Sequence, residues 1–384
     1  MKKTKQFIWV SLIDPVTTLD AATWVDTSRE IENYGWSSTL IGFGDSDSVV
    51  RVRGVDAVTF SIPDIYFVRK LIYHLKIVRF ILKRWWSTDV VMFHQISAMW
   101  LLPLKLLGIF GKRPLFIMDT RDLPDIVTGN TRTKIHLQFY WFAHWLANLF
   151  ADKQIAITTK MAEMVKIPNQ QLVGVWPSGV DVEKFSHLRS KRKWPRENDP
   201  IHLIYIGSLI QKRNPQALCE AVIQANGCEN RFKLSMIGSG AEVPHLKEIA
   251  KKSNGAVEIL PPVAHDDVPT LLAQAHVGVT SLPNADDVKY EASSPVKLFE
   301  YMAIGLPILA TTNYCHTHVV GNGRYAFWVA EPTTQDIAKS LQQIWECRNE
   351  LPALSQDAFA DAPKWTWNRA AEKLANALDS ATAL

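Results

Sequence analysis

The sequence predicts an α/β protein of two domains, each built on an open and mostly parallel sheet. Short apolar runs that suit buried strands alternate with helical patterns along the whole chain. The length of 384 residues exceeds one ordinary core, so two domains of roughly 150 to 200 residues are expected. A polar, charged and proline-containing segment, residues 187–200, separates two halves with the same alternation, and we interpret it as the linker.

The first half contains six apolar runs of strand length. They cover residues 7–13, 38–43, 90–94, 115–118, 155–158 and 173–176. Short continuous apolar runs are typical of strands buried on both faces of a parallel sheet. The first run follows basic residues, as a signal peptide would, but it is short, ends at Asp14-Pro15 and lacks a small-residue cleavage site. A first strand explains it better.

The second half repeats this pattern with six more runs and intervening helical segments. The runs cover residues 201–206, 232–237, 257–260, 277–281, 308–310 and 325–329. No residue-level repeat links the halves, so the repetition is architectural, with one Rossmann-like unit following another. After Trp365-Thr366-Trp367, an amphipathic helix is expected over residues 368–378.

Composition and charge exclude several classes of protein. Hydrophobic residues make up 47% and charged residues 21%, which does not suit an extensively disordered chain. The net charge of +4 is too small to predict a nucleic-acid partner. The four cysteines form neither a C-x-x-C pair nor a zinc pattern, which favours a reduced, cytoplasmic setting and predicts no metal site. No charge-free apolar run reaches the ~18 residues needed to span a bilayer.

Residues 294–310 are the most informative segment of the chain. Ser294 suits a helix N-cap and Pro295 the first helical position, while Gly305 suits the helix end before a short apolar strand. The unpaired amides of such a helix start stabilise a phosphate group. Lys297 and Glu300 lie one turn apart, so this helix offers a cation for phosphate beside a carboxylate for sugar hydroxyls.

The pattern Pro-x-Lys-x-x-Glu-Tyr-Met-Ala-x-Gly-x-Pro at residues 295–307 resembles the nucleotide-sugar motif of the retaining family 4 glycosyltransferases. The turn at 177–181 and the glycine-led loop at 207–214 resemble two further motifs of that family. The resemblance implies the GT-B fold, in which two Rossmann-like domains face each other across a cleft. The expected parts are an acceptor-side domain, a nucleotide-sugar domain and a C-terminal helix that returns to the first domain, at residues 1–188, 189–364 and 365–384.

The resemblance also implies a donor-binding site in the second half. The glycines let the backbone approach the ligand, the cations hold the diphosphate, the valine belongs to a loop that lines the base, and the glutamate accepts hydrogen bonds from ribose. The residues expected in this site are Gly207, Lys212, Arg213, Gly238, Val263, Ser294, Lys297 and Glu300.

The chain departs from the family pattern eight positions before Glu300, where many members carry a second glutamate that contacts the transferred sugar. That position is Ala292 here, and Glu291 is its neighbour. Either Glu291 substitutes through a shift of the loop, or backbone groups near Ser294 hold the sugar. The identity of the sugar therefore stays open.

A second departure lies in the first domain, where Arg121 occupies the place of the family's histidine. Arg121 could clamp a phosphate or carboxylate while Asp119 or Asp122 polarises an acceptor hydroxyl. The alternative is an Arg-Asp ion pair that orders the loop. The residues expected to serve the reaction are Arg121, Asp122, Lys297 and Glu300.

The implied activity is sugar transfer with retention, using a nucleoside-diphosphate sugar (a UDP or GDP sugar) as donor and no cofactor or obligate metal. Basic side chains and a helix end would stabilise the departing diphosphate. Two alternatives share the fold: a sugar-nucleotide epimerase, and a binding or scaffold protein that has lost the family's histidine and first glutamate.

Residues 66–86 suggest where the acceptor lies. This segment carries six Lys or Arg residues, no acid and a broad apolar face, which suits contact with an anionic membrane surface. The aromatic segments 96–110 and 135–150 are also unusually apolar. For all three segments, core helices of the first domain are the competing interpretation. We expect a glycan or lipid-linked acceptor, with the protein in the cytoplasm or on the inner face of the membrane.

Overall fold

The computed structural model describes residues 4–18, 21–124, 131–280, 283–284 and 287–383. The chain forms two compact units. The first unit comprises Met1–Gly179, Ala292–Ser294 and Trp367–Leu384, and the second comprises Val180–Glu291 and Pro295–Thr366.

The first unit contains an eight-stranded sheet in the order β3-β4-β2-β1-β5-β6-β7-β8, parallel except for the β3–β4 pair. Its strands are β1 Lys5–Val10, β2 Trp36–Phe43, β3 Ser48–Val52, β4 Val55–Phe60, β5 Val90–His94, β6 Leu115–Thr120, β7 Lys153–Ala156 and β8 Leu172–Val175. The β3–β4 hairpin was not predicted. It turns at Arg53-Gly54, where both residues have positive φ, as a two-residue hairpin loop requires.

Helices cover both faces of this sheet. They are α1 Ala22–Glu30, α2 Tyr66–Lys83, α3 Ala98–Leu101, α4 Thr131–Phe150 and α5 Thr159–Met164, with 3₁₀ helices at Ile31–Tyr34, Gln95–Ser97 and Leu102–Phe110. The inner sides of α2, α3 and α4 share one buried apolar cluster with the strands, so these three helices cover the same face.

The second unit contains a six-stranded parallel sheet in the order β11-β10-β9-β12-β13-β14. Its strands are β9 Ile201–Ile206, β10 Phe232–Ile237, β11 Val257–Leu260, β12 Val277–Val279, β13 Ile308–Thr311 and β14 Ala326–Val329. Each corresponds to one of the six apolar runs predicted for this half. Because all run in parallel, the loops that follow them lie at one edge of the sheet.

The helices of the second unit surround this sheet. They are α6 Val182–Ser186, α7 Pro215–Asn226, α8 Val243–Lys251, α9 Val268–Leu272, α10 Val288–Glu291, α11 Val296–Ala303, α12 Tyr314–Val320, α13 Thr334–Glu346 and α14 Leu351–Asp361. Shorter 3₁₀ helices occur at Arg189–Lys191, Gln211–Arg213, Arg348–Glu350 and Ala362–Trp365.

The boundary between the units lies earlier than the predicted end of the first domain at residue 188. Val180, Phe185 and Leu188 are buried in the core of the second unit, so the chain enters that unit at Val180. The predicted linker, residues 187–200, is part of the second unit and is hydrogen-bonded to it. The Arg192 guanidinium donates hydrogen bonds to the carbonyls of Ile304 and Gly305, which cap the end of α11.

The last helix, α15 Trp367–Thr382, belongs to the first unit. Its apolar side is buried in a cluster with β1, β2 and α1, and Asn368 accepts a hydrogen bond from the Tyr34 hydroxyl at 2.9 Å. At the crossing with β8, a side chain on Gly174 would lie 2.8 Å from the Ala377 methyl group, so glycine permits close packing. The predicted return of the C-terminal helix to the first domain is confirmed.

Candidate functional site

Two glycine-containing loops meet at the carboxyl ends of β9 and β10. The Gly207 amide donates to the Ile237 carbonyl at 2.9 Å, and the Leu209 amide donates to the Ser239 carbonyl at 2.8 Å. A Cβ on Gly238 would lie 1.8 Å from the Gly207 oxygen, which no side chain could tolerate. Glycine is therefore required at Gly238, and the two loops present backbone rather than side chains at this edge.

Lys297 brings a buried cation to the same place. Its Nζ atom is inaccessible to solvent and has no hydrogen-bond partner within the described part of the chain. It lies 4.5 Å from the centre of the Tyr205 ring and 2.6 Å from the position that a Cβ on Gly207 would occupy. Burial, reinforced by repulsion from Arg213 and partly offset by Glu300, lowers the pKa of Lys297 to about 7. An anion that accepted a hydrogen bond from Nζ would offset both the cost of burying this charge and the repulsion from Arg213.

Arg213 is the second cation of this site. Its Nε donates to the Tyr290 hydroxyl at 3.0 Å, and its NH1 atom lies 3.3 Å from the Cβ position of Gly207. Burial alone would lower the pKa of Arg213, but its interactions with Tyr205 and Tyr290 outweigh burial and raise it. The predicted neighbour Lys212 is exposed, so Arg213 is the member of this pair that lies beside Gly207 and Lys297.

Glu300 is held by His265, which lies two residues after Val263 of the predicted base-lining loop. The Glu300 side chain is 10% exposed, and its Oε1 lies 2.9 Å from His265 Nε2. The Lys184 ammonium lies 3.2 Å from His265 Nδ1 and 2.6 Å from an Asp266 carboxylate oxygen. Because an ammonium can only donate, Nδ1 accepts, and His265 donates its Nε2 proton to Glu300. One carboxylate oxygen of Glu300 is thus fixed, and the other can accept from a ligand hydroxyl.

The start of α11 differs from the prediction for Ser294. Pro295, not Ser294, occupies the N-cap position, and its side chain makes no capping hydrogen bond. The Ser294 hydroxyl instead accepts a hydrogen bond from the Ser178 amide at 3.1 Å, within the first unit. Ser294 is therefore wrong as the N-cap, because its side chain holds another backbone segment. The Ser294 hydroxyl therefore does not cap the first turn of α11, whose amides form the positive end of the helix.

Val263, Ala292 and Glu291, the other positions considered for donor binding, make mainly structural contacts. Val263 is half-buried and packs against the apolar core of the second unit. The Ala292 side chain is fully buried in an apolar cluster of the first unit, where its carbonyl accepts from the Thr158 hydroxyl at 2.9 Å. Glu291 ends α10 and is half-buried.

Arg121 lies in the first unit, in a setting that favours a structural role. Its guanidinium stacks 3.7 Å from the centre of the Trp176 ring and donates to the Ser178 hydroxyl at 3.2 Å. Burial, partly offset by Asp119 and Asp122, lowers the pKa of Arg121 to about 10. Trp176 in turn donates its indole N–H to Asp119. These contacts fix the segment that follows β8.

Arg121→Ala is accordingly expected to destabilise the protein, because it removes a desolvated cation–π contact and a hydrogen bond. The free energy of unfolding should fall by about 2–3 kcal/mol. Denaturant unfolding measures this change. An unaltered unfolding midpoint combined with loss of turnover would instead place Arg121 in the reaction.

Asp122 lies at the carboxyl edge of the first sheet and is 62% exposed. Its Oδ1 accepts from the Gln95 side-chain amide at 2.9 Å and lies 3.1 Å from His94 Nε2. His94 ends β5, next to β6 in the sheet. Sequence reasoning missed this histidine, although a polar His directly after a buried apolar run was a usable signal. The pair can accept and pass on a proton from a hydroxyl group.

The charges of the second unit suit a phosphate-bearing ligand. The buried Lys297 ammonium, the half-buried Arg213 and the glycine turns at Gly207 and Gly238 converge on one edge of the sheet. Across the described ranges, no group of three or more His, Cys, Asp or Glu side chains is arranged to hold a metal ion.

Two α/β units of this kind, with a terminal helix that rejoins the first, define the GT-B fold. The chain superposes on HepE from Anabaena, solved with UDP, with a TM-score of 0.72, 15% identity and coverage of 98% of this chain and 100% of HepE. It also matches the catalytic domain of starch synthase IV from Arabidopsis thaliana, bound to ADP and acarbose, with a TM-score of 0.74, 10% identity and full coverage of both chains. The predicted fold class is confirmed.

The sequence comparisons agree with this class. Residues 187–361 match the family described as glycosyl transferases group 1, a stretch that contains Gly207, Arg213, Lys297 and Glu300. The chain is 23% identical to the putative glycosyltransferase EpsD of Bacillus subtilis over 251 residues. That alignment spans 62% of this chain and 63% of EpsD.

Proposed function

We propose that the protein is a retaining glycosyltransferase that moves a sugar, of the hexosyl type, from a nucleoside-diphosphate sugar to a glycan or lipid-linked acceptor. The observation that carries this proposal is the Lys297 Nζ, which is buried beside the Gly207 turn and Arg213 and has no hydrogen-bond partner among the described residues. A buried ammonium without a partner is costly. A bound diphosphate supplies the missing acceptors and the opposite charge.

The donor is held by the second unit in this proposal. Lys297 and Arg213 bind the diphosphate, the glycine turns at Gly207 and Gly238 let it approach the backbone, and the first-turn amides of α11 add to the positive potential. Glu300, oriented by His265, accepts hydrogen bonds from the ribose hydroxyls. Val263 lines the base.

Catalysis in this proposal is electrostatic. As the bond between the sugar and the diphosphate breaks, negative charge grows on the leaving phosphate, and Lys297 and Arg213 stabilise it. These two cations take the part that a metal ion plays in other transferases, so the reaction is proposed to be metal-independent. Asp122, paired with His94, is the candidate to receive the proton of the acceptor hydroxyl.

The acceptor and pathway are also part of the proposal. We assign the reaction to cell-envelope or polysaccharide biosynthesis, carried out in the cytoplasm or on the inner face of the membrane. The cationic helix α2 supports this assignment, since an anionic leaflet would hold the enzyme near a lipid-linked acceptor.

The test is donor hydrolysis after a screen of sugar nucleotides by thermal stabilisation. A ligand at a hundred times its dissociation constant stabilises the protein by about 2.7 kcal/mol, which identifies the donor. Slow release of nucleoside diphosphate from that donor supports a transferase. Epimerisation without release would point to an epimerase, and binding without turnover across a panel of acceptors would point to a scaffold.

Donor affinity is expected to weaken as the pH rises above about 7. Lys297 with a pKa of about 7 is protonated below this pH and must take up a proton to bind the diphosphate above it. Because both phosphates of a sugar nucleotide are diesters, the ligand keeps a constant charge between pH 6 and 9. The dissociation constant should rise up to about tenfold per pH unit above pH 7. Titration calorimetry at several pH values measures it, and a flat profile would contradict the assigned role.

A further inference from the structure

The first unit exposes an unusually large set of apolar side chains on one side. Twenty large hydrophobic residues are exposed among those the structure describes, and fifteen of them lie between residues 66 and 150. The fifteen are Val68, Leu71, Leu75, Leu82, Trp86, Met99, Leu106, Ile109, Phe110, Ile135, Trp141, Phe142, Trp145, Leu149 and Phe150. Soluble proteins scatter such residues singly, whereas a concentration of them marks a contact surface.

These side chains belong to one continuous layer, which we call the apolar face. The helices α2, α3 and α4 cover the same face of the sheet, and α3 contacts α2, α4 and the 3₁₀ helix Leu102–Phe110. The Trp86 ring lies 3.6 Å from the Cβ position of Gly111, directly after this 3₁₀ helix. On the other side, Lys105 donates to the Phe150 carbonyl at the end of α4. The 3₁₀ helix thus bridges the ends of α2 and α4.

The helix α4 exposes large apolar side chains, although small residues occupy part of its buried side. Its buried side carries the small residues Ala143 and Ala147, each at most 1% exposed, together with His144 and Tyr140. Its outer side carries Trp141, Trp145 and Leu149, spaced four residues apart and 43%, 54% and 55% exposed. The competing interpretation of a core helix therefore does not hold for Trp141, Trp145 and Leu149. The outer side of α4 is left for another apolar environment.

Positive charge accompanies the apolar face. From residue 66 to residue 118 the chain carries nine cations and the single acid Asp89, and the α4 sequence carries cations but no acid. The nine cations are Arg69, Lys70, Lys76, Arg79, Lys83, Arg84, Lys105, Lys112 and Arg113. Several are neutralised: Lys76 pairs with Asp47, Lys112 with Asp89, and Lys105 and Arg113 with Asp152. The exposed Arg79, Lys83 and Arg84 of the α2 end remain next to Leu82 and Trp86.

We propose that the apolar face docks into the interfacial layer of an anionic lipid bilayer, with the 3₁₀ helix inserted deepest. Leu106, Ile109 and Phe110 are 73%, 80% and 76% exposed at its tip, while the tryptophans suit the headgroup level. No described helix is long and apolar enough to cross the membrane. A symmetric dimer through this face would bury the exposed cations of the α2 end between two positively charged surfaces, whereas anionic headgroups complement them. This inference extends the contact predicted for residues 66–86 and does not depend on the donor site.

The test is flotation of the full chain with vesicles of phosphatidylglycerol and phosphatidylcholine, compared with phosphatidylcholine alone. The protein should float with the anionic vesicles at low salt and be partly released by high salt. Replacing Ile109 and Phe110 together by Ser should weaken partitioning by about tenfold or more. The matched control is Val49→Ser, which alters a 67% exposed apolar residue of the same unit outside the apolar face.

Three outcomes would overturn the inference. The protein could stay in the soluble fraction with anionic vesicles at low salt, or Val49→Ser could weaken binding as much as the double change. The third is a concentration-dependent dimer, seen by analytical ultracentrifugation, that the double change dissolves without any vesicle binding. Nucleotide affinity, measured on the same variant, should be unchanged, so failure here is distinguishable from failure of the proposed reaction.

Discussion

Lys297→Met is expected to abolish measurable binding of the donor while making the free protein more stable at neutral pH. Binding is lost because the diphosphate no longer meets the buried ammonium, and charge-assisted contacts of this kind contribute enough that affinity should fall at least ~100-fold. Met fills a similar volume without a charge. The expected gain in stability follows from the burial of the ammonium, for which the described part of the chain offers no hydrogen-bond partner.

The sign of the stability change follows from the pKa of Lys297. Its ordinary value is 10.5 and its folded value is about 7, so between these pH values the unfolded chain binds more protons than the folded protein. The stability of the free protein therefore rises with pH across this window. Below pH 7 the folded protein bears the full free-energy cost of burying the charged Lys297. Lys297→Met should remove this cost, raising the free energy of unfolding by on the order of 2–4 kcal/mol at pH 7. The difference from the unaltered protein should shrink as the pH approaches 10.

Calorimetric binding and denaturant unfolding measured on the same samples would check both halves of this prediction. Lys233→Met is the matched control, because Lys233 is an exposed lysine of β10 in the same unit. It should leave affinity and stability close to their original values. If Lys297→Met instead destabilised the protein or bound the donor normally, Lys297 would have a structural function.

Glu300→Ala is expected to weaken nucleotide binding by about 10- to 100-fold, the range for a lost hydrogen bond to a charged group. The loss should come from the ribose. For the unaltered protein, removing the ribose hydroxyls from the ligand should weaken binding to a similar extent. For Glu300→Ala, ribose and deoxyribose forms should bind equally. The protein change and the ligand change together form a thermodynamic cycle, and its coupling energy measures the contact between Glu300 and the ribose hydroxyls.

His265→Ala provides a graded comparison, since His265 holds Glu300 at 2.9 Å without itself being assigned to the ligand. It should weaken the preference for ribose less than Glu300→Ala does. Glu258→Ala, at an exposed position of β11, should change nothing. If Glu300→Ala still preferred ribose over deoxyribose ligands as strongly as the unaltered protein does, Glu300 would not contact the ribose and the proposed role would be contradicted.

The second sheet was predictable because its strands carry a strong local signal. All six are parallel strands with short apolar runs, and the inner strands β9, β12 and β13 are mostly buried. The β3–β4 hairpin lacked such a signal, since β3 alternates half-buried with exposed residues and its turn is Arg53-Gly54 rather than Asn-Gly. A half-exposed edge hairpin cannot be separated from a loop by apolar content alone.

The candidate site was predictable only where its residues are close in the chain. Lys297 and Glu300 share one helix turn, and Gly207 and Arg213 share one loop. Their partners Tyr205, Tyr290 and His265 come from separate elements that the sheet order brings together, so no spacing reveals them. The Ser294 prediction failed for a related reason. Its hydroxyl accepts a hydrogen bond from the Ser178 amide, which is far away in the sequence. A capping rule based on neighbouring residues cannot predict such a contact.

The most direct test of the central claim is a crystal structure of the protein with the nucleoside diphosphate of the sugar nucleotide that stabilises it most in the thermal screen. The diphosphate oxygens should accept hydrogen bonds from Lys297 Nζ and the Arg213 guanidinium at the first turn of α11, close to the Gly207 backbone. A nucleotide bound elsewhere, or bound here with Lys297 Nζ still unpartnered, would contradict the claim.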